Sequence, residues 1–497
     1  MNLADALTHH ARARPDRAAI IDGARVLLYA DLDAAVRGWA SHLHACGARR
    51  GEVLGIALAD RIEHLLALYA AARLGAVALP MDVRWTAAER DAVAEHFGAQ
   101  LVLAEPGAVP LPGIPVLTVD ADFVAAAARA PAGMDFPSGE ACLGLPLLLS
   151  LSSGTTGRPK GPMVTHGNFL RRFWTHWIDL GLNAREVFVS ATPLYFGGGR
   201  TFCMSLLFSG GTVVLHPPPN RIETLPEAVA RHGATSMFLV PTQLRRLLDL
   251  TEDATAPLRG LRLLLSSGAP LAPAERTLIR ARLCPQFHEY YASTEGGGIS
   301  LLRAEEMDGH PDSVGRPVFG VEIAVRDTAG RDLPAGETGV LAYRGPGVAA
   351  GFHNDPSASA EAFRDGWFIP GDLAALDAAG FVHLRGRAKD LVIRGGVNIH
   401  PAEIEAVLRE DPGVADAAVV GWPSAEMGEE VAAFIVPRAG CTPSEAALRA
   451  RCAARLAPYK VPRAIFPLPD LPRNSGGKVL KAQLVARLSP IPHRGSG

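Results

Sequence analysis

The sequence predicts an α/β chain in which parallel βα units come first, a β-rich stretch follows, and a smaller α+β stretch closes the chain. Three observations carry this reading. Up to about residue 300, short apolar runs of strand length alternate with segments of helical periodicity, as in strands joined by crossover helices. From about residue 311 the runs shorten and are broken by Gly, Pro and Asp, as in antiparallel strands joined by tight turns. After Arg387 helical and strand patterns mix as far as Leu488. At about 100–200 residues per domain, 497 residues accommodate two or three domains. The changes of texture place boundaries between residues 1–387, with 311–387 as its β-rich part, and residues 388–497.

Taken in order, Ala34–Leu43 reads as a helix ending near Gly47, and Val53–Leu58 as a short buried strand. Arg61–Leu74 has helical periodicity and stops at Gly75, with the strand Ala76–Leu79 before Pro80. Glu105–Pro115, rich in Pro and Gly, is loop. Asn168–Leu180 is a helix whose Phe169, Phe173 and Trp177 recur at i, i+4 and i+8, a stripe that core packing explains without a ligand. Strand and helix then alternate through Val187–Ala191, Arg200–Phe208, Thr212–His216, Met237–Val240, Gln243–Leu250, Leu261–Leu265 and Phe287–Tyr291. Glu322–Arg326 and Gly339–Tyr343 are antiparallel candidates. Pro401–Arg409 is a helix, with Pro at its start and acidic residues in its first turn.

Composition excludes several function classes. Hydrophobic residues make up 48% and charged residues 20%, ordinary values for a globular protein. A net charge of −2 gives no reason to expect nucleic acid or an anionic membrane as partner. The six cysteines are scattered with no Cys-x-x-Cys, which argues against a zinc site or a disulfide framework. The N-terminus lacks an apolar signal-peptide core, and the longest nearly uncharged apolar run, Ala141–Leu151, is too short to span a bilayer. A soluble cytoplasmic protein with reduced thiols is the expectation.

The most informative stretch is Ser152–Gly161, SSGTTGRPKG, which follows the apolar run Leu145–Leu151. Glycines let backbone N–H groups close around an anion, hydroxyls add donors and Lys160 adds charge, so the loop reads as a phosphate site. It is not a Walker A loop, because Pro159 precedes Lys160 and Gly161 follows it. With its continuation Pro162-Met163-Val164-Thr165-His166-Gly167-Asn168, the loop resembles the signature of the adenylate-forming superfamily, which includes acyl-CoA synthetases, carrier-protein adenylation domains and luciferases. His166 itself reads as structural, at a helix entry.

Five further stretches, in the family's order, extend the resemblance over roughly residues 10–485. Ser267-Gly268-Ala269-Pro270 is similar to the turn that walls the adenine pocket. Tyr291-Ala292-Ser293-Thr294-Glu295 resembles Tyr-Gly-x-Thr-Glu, with Ala292 where Gly is usual. The resemblance implies that Tyr291 lies against adenine, Thr294 contacts the α-phosphate and Glu295 helps hold Mg²⁺, for which carboxylate oxygen is a suitable hard ligand. In Trp367–Asp372, Pro370 replaces the family's threonine, and Asp372 is retained as an acceptor for a ribose diol. Gly386–Glu405 carries Arg387 for ribose or phosphate, Lys389 at the hinge, and Gly395-Gly396 beside a pantetheine tunnel. Leu471–Lys478 carries Lys478, implied to bridge carboxylate and α-phosphate, where a cation offsets the repulsion of two anions.

The implied fold is a large N-terminal domain of βα-layered subdomains with a small β-barrel-like subdomain, followed by a small mobile α+β domain. The implied nucleotide contacts are Ser152, Ser153, Gly154, Thr155, Thr156, Gly157, Lys160, Gly268, Ala269, Pro270, Tyr291, Ala292, Thr294, Asp372, Arg387 and Lys478, with Thr156, Glu295 and Lys478 as the catalytic set. The implied reactants are ATP, Mg²⁺, CoA and a small carboxylic acid.

Thr192–Arg200 resembles the segment shaping the acyl pocket, to which Tyr195, Phe196, Gly198, Arg200 and Ser267 are assigned. Phe196 stands where many CoA ligases have histidine, and Gly198 where an aromatic is common, suggesting opened space. No acidic residue lies in this segment, which argues against an α-amino acid. Arg200 either pairs with a second substrate carboxylate or lies exposed at a helix start. Gly296-Gly297-Gly298 suggests a roomy or mobile pocket floor, or else a plain loop. The leading reading is a carboxylic acid–CoA ligase. One alternative is an adenylating enzyme loading a carrier-protein phosphopantetheine or another nucleophile, and a more distant one is a non-catalytic nucleotide-binding relative.

Overall fold

The computed structural model describes residues 1–109, 112–131, 134–151, 160–216, 221–473 and 479–491. Four sheets organise them. A nine-stranded sheet runs, in spatial order, through 316–317, 297–302, 287–293, 263–266, 236–239, 187–190, 212–215, 18–22 and 25–28. The pairs from 287–293 across to 18–22 are parallel, and 25–28 on one side and 297–302 and 316–317 on the other are added antiparallel. A six-stranded sheet runs 116–118, 99–104, 53–57, 77–80, 146–149 and 163–165, parallel until the last pair. This is the βα alternation expected from the sequence, and the central strands are buried along their whole length because helices or the other sheet cover both faces.

Two helices seal the space between these sheets. Ile62–Leu74 is buried on nearly every side. Gly197–Ser209, where the sequence indicated Arg200–Phe208, packs into the same core as Leu54, Leu65, Phe169, Phe188 and Phe238. Gly75 ends the first helix in the left-handed region at φ 79°, a conformation that costs a residue without Cβ little, and the chain turns directly into strand Val77–Pro80. Helix His166–Ile178 begins in a capping box in which Thr165 and Asn168 satisfy each other's backbone N–H groups. Phe169 and Phe173 on this helix are fully buried, so the aromatic stripe belongs to the core.

Strands 322–326, 339–344, 363–364, 367–368, 372–376 and 382–387 form an antiparallel sheet with its own apolar cluster around Leu341, Tyr343, Phe368 and Val382. The last sheet, 397–399, 392–394, 428–437, 414–424 and 464–467, packs on helices Pro401–Arg409 and Glu445–Arg455. Its core is made only of residues from 392 onward. Among the described residues no helix is long and apolar enough to cross a membrane.

Candidate functional site

Strands 187–190, 236–239, 263–266 and 287–293 point the same way, so the segments leaving their carboxyl ends gather along one edge of the nine-stranded sheet. Those segments are Thr192–Phe196, Ser267–Pro270 and Thr294–Glu295. Ser267 and Ala269 are half-buried, and Gly268 and Pro270 are exposed, with Gly268 at φ 103°. A register shift between Tyr291 and Ala292 lets the strand bend where it meets Gly297 and Gly298 of its neighbour.

Tyr291, Asp372 and Arg387 come from distant parts of the chain and meet. The Tyr291 hydroxyl donates to one oxygen of Asp372, and the Arg387 guanidinium pairs with the other at 2.9 Å. Asp372 and Arg387 face each other across antiparallel strands, so register fixes the pair. Arg387 also donates to the Pro370 carbonyl at 2.8 Å, which gives the unusual proline a backbone role at this point. Burial, reinforced by the Asp372 charge, raises the Tyr291 phenol well above its ordinary value, so it stays protonated and a donor. Each oxygen of Asp372 retains a lone pair for a further donor such as a diol.

A residue the sequence reading passed over holds the next part together. Arg172, on the helix 166–178, is buried, and its fork reaches the carbonyls of Gly347 at 2.9 Å, Thr294 at 3.2 Å and Glu295 at 2.7 Å. Burial lowers its pKa to about 10. An arginine in an amphipathic helix ordinarily reads as a solvated charge, and the one available signal was its place on the buried side of that helix. The triglycine Gly296–Gly298 is not a roomy floor, and Gly297 and Gly298 open strand 297–302. A Cβ would lie 2.4 Å from the Tyr343 hydroxyl at Gly296, 2.9 Å from Arg172 Cγ at Gly297 and 1.9 Å from the Tyr290 hydroxyl at Gly298. The glycines are there because those larger side chains already fill the space.

Two expectations on the acid side are corrected. Arg200 is neither exposed nor presented to a second carboxylate: it is 1% exposed, and it donates to the carbonyls of Leu194 and Tyr195 and to Ser150 Oγ at 3.1, 2.8 and 2.8 Å. Burial, with Arg172 nearby, lowers its pKa to about 9. Gly198 does not open space, because a Cβ there would meet the Phe238 ring at 2.7 Å and the Phe196 ring at 3.5 Å. The aromatic surface is supplied from another strand. Phe196 itself is half-buried and precedes the first turn of the helix.

Three acid-side neighbours were not foreseen. Asp60 accepts the Leu194 N–H at 2.7 Å, and burial raises its carboxyl to about 6. Arg84 bridges Asp82 at 2.7 Å and the Tyr195 hydroxyl at 2.6 Å. Their distance in sequence from Thr192–Arg200 hid them.

Lys160 lies 5.1 Å from the centre of the Phe352 ring. Ser152, Ser153, Gly154, Thr155, Thr156, Gly157 and Lys478 lie outside the described residues. Lys389 is exposed, in a single turn after Arg387, and partial burial and the Arg387 charge lower its pKa. Gly395 and Gly396, at φ 56° and 83°, make the two-residue turn between strands 392–394 and 397–399, where two left-handed residues are needed. His166 is buried and takes the Leu3 N–H at 3.1 Å, and burial lowers its pKa to about 4, so it is structural. Among the described residues no cluster of three or more His, Cys, Asp or Glu is placed to hold a metal ion.

Comparison with known proteins gives one family. The model described as AMP-binding enzyme matches residues 7–353, and that described as AMP-binding enzyme C-terminal domain matches residues 403–478. The 2-succinylbenzoate–CoA ligase of Geobacillus kaustophilus is 34% identical over 97% of this chain and 97% of its own. The feruloyl-CoA synthase of an Amycolatopsis species is 33% identical over 96% of this chain and 97% of its own. The o-succinylbenzoate CoA synthetase of Bacillus subtilis, solved with its acyl-adenylate intermediate, superposes with a TM-score of 0.87 at 30% identity, covering 96% of this chain and 97% of that one.

Proposed function

This chain belongs to the AMP-binding enzyme family, and on that premise we propose that it is an ATP-dependent carboxylic acid–CoA ligase acting on a non-amino organic acid. The observation that carries the reading is the union of Tyr291, Asp372 and Arg387 beside the Ser267–Pro270 turn. A flat phenol, a carboxylate with lone pairs to spare and a guanidinium suit a base, a ribose diol and a phosphate in turn.

The substrate carboxylate attacks the α-phosphorus of ATP, forming an acyl-adenylate and releasing pyrophosphate. A thiol then attacks the acyl carbon, forming the thioester and releasing AMP. The first step brings two anions together, and Lys478, Lys160 and the N–H and hydroxyl donors of residues 152–157 are the groups assigned to offset that charge. Glu295 is the carboxylate assigned to Mg²⁺, which supplies charge neutralisation on the phosphates when bound. One protein carboxylate suffices in such sites, because nucleotide oxygens and water complete the coordination shell. Turning residues 388–497 about Lys389 would withdraw Lys478 and bring Gly395-Gly396 to the thiol route, so that one site serves both steps. We place this work in the cytoplasm.

On the acid side, both terminal nitrogens of Arg200 are engaged within the protein, one on the Leu194 and Tyr195 carbonyls and one on Ser150 Oγ, and Phe196 and Phe238 flank Gly198. This supports an apolar acyl group, without a second carboxylate held by Arg200. Phe196 in place of histidine favours keeping a carrier-protein thiol as a second possible acceptor. Acid-dependent AMP release with CoA, measured across aromatic, branched, short and dicarboxylic acids, tests the reading. Thioester formation with an apolar monocarboxylic acid is expected. Release of AMP or pyrophosphate without acyl-CoA from every acid in the set would refute CoA as the acceptor.

A further inference from the structure

We propose that Arg172 is a positioning residue for Glu295: its buried fork fixes the turn whose carboxylate would hold Mg²⁺ against the nucleotide. The inference rests on the ligase reading for the role of Glu295, and the observations behind it are independent of that reading.

A guanidinium taken out of water is costly unless its charge and donors are met. Arg172 is 6% exposed, yet no carboxylate lies within ion-pairing distance of it among the described residues. Each of its three nitrogens donates instead to a backbone carbonyl. Two belong to Thr294 and Glu295, and the third belongs to Gly347 in a separate loop. The Glu295 carbonyl also accepts from Ala349 at 2.9 Å, and Asn168, one turn earlier on the same helix, donates to the Val348 carbonyl at 3.0 Å. Helix 166–178 thus clamps both loops at once.

The surrounding sequence makes room for this fork. A Cβ on Gly297 would lie 2.9 Å from Arg172 Cγ, and one on Gly347 would lie 2.8 Å from it. A leucine or methionine could fill the same helical position without burying a charge, but it would remove three hydrogen bonds to buried carbonyls, leaving the Glu295 carbonyl with the Ala349 N–H alone. Lysine keeps the charge but presents it at a single nitrogen, which cannot span three carbonyls on two loops. A group that would not itself touch the metal can still hold in place the carboxylate that would.

The test uses the full chain and reads Mg²⁺ dependence directly. Acid-dependent exchange of pyrophosphate into ATP needs no thiol acceptor and is titrated with Mg²⁺. R172K, which keeps the charge, is expected to raise the Mg²⁺ concentration for half-maximal exchange by about 10- to 100-fold, with the acid KM little changed. R172Q is expected to show at least as large a rise. E295Q should produce the same kind of loss, and R172K combined with E295Q should add little, because both act on one ligand. A folded R172K with the wild-type Mg²⁺ midpoint overturns the proposal whatever its kcat, and so do losses that multiply in the double variant. Melting curves identify variants that fail to fold, and the Mg²⁺ midpoint is then read from R172K, the more conservative change. ATP affinity with and without Mg²⁺, measured by calorimetry, gives the same comparison without turnover. A wild-type chain that couples Mg²⁺ to ATP but exchanges no pyrophosphate with any acid would overturn the ligase reading and leave the Arg172 test standing.

Discussion

Some buried charges around the site are met by backbone groups, whereas those in the region from residue 392 onward are met by opposite charges; Asp372–Arg387 and Arg276–Glu289 are ion pairs of the first region. Near the sheet edge, Arg172 donates to carbonyls, Arg200 donates to carbonyls and to Ser150 Oγ, and Asp60 is met by the Leu194 N–H. In the last region carboxylates meet cations. Asp416 is paired with Arg409 and Arg473, Glu405 with Lys481, and Glu430 with Arg394 and Arg463. Burial alone would raise the pKa of Asp416, but Arg409 and Arg473 bring it below the ordinary value. A guanidinium bonded to backbone fixes the shape of a loop without a carboxylate in ion-pairing contact, which suits a site for a polyanion. Charges that cancel within one body make that body self-contained, as its separate apolar core also does. The first arrangement suits a site already in place, and the second suits the unit proposed to turn about Lys389.

The sharpest way to break this comparison is to remove what the moving unit is proposed to deliver. Lys478→Ala should lower acid-dependent adenylation by roughly 10²- to 10³-fold, while sparing thioester formation from supplied acyl-adenylate. Equal loss in both half-reactions would show that the lysine does not act in adenylation alone. Lys389→Pro should come next. It removes a rotatable φ at the proposed pivot, so overall turnover should fall while ATP affinity stays near wild type. Unchanged turnover would remove the hinge from Lys389.

Much of the architecture was legible because the period of apolar residues reports which faces are buried. Pro401–Arg409 came out with the bounds expected of it, and Gly75 ended its helix where indicated. The union of Tyr291, Asp372 and Arg387 was legible only through resemblance, since an isolated turn aspartate carries no chemistry by itself. The misreadings share one physical cause. Gly296–Gly298 and Gly198 looked like empty space, but empty space in one segment is commonly filled from another. Tyr343, Tyr290, Arg172 and Phe238 do the filling, and all but Tyr290 lie far away in sequence. Arg172 and Arg200 were missed or misplaced for the converse reason: a charged residue in a helix is normally solvated, and only tertiary partners reveal that it is not.

Filling the space at Gly198 tests the acid side of the comparison at a smaller scale. Gly198→Ala places a methyl 2.7 Å from the Phe238 ring, so one of the two must shift. The acid KM should rise by about tenfold, the order expected for one methylene in an apolar pocket, with the ATP KM unchanged. An unchanged acid KM would place the acyl group elsewhere.

The smallest effect is a matter of stability and sets the two regions side by side. Burial raises the Asp60 carboxyl from 3.8 to about 6. Between those values the folded chain binds the proton that the unfolded chain has lost, so stability falls as pH rises through this window, and the full cost is present above pH 6. Asp60→Asn keeps an oxygen for the Leu194 N–H and removes the charge. It should stabilise the chain by roughly 1–3 kcal/mol above pH 6, with the gain fading toward pH 4. Asp416→Asn should do the reverse, because the Asp416 pKa is lowered rather than raised. That variant should be less stable at neutral pH, with the difference shrinking as the pH falls through the carboxylate range. Thermal unfolding of the two variants from pH 4 to 8 would sink the contrast if their pH dependences had the same sign.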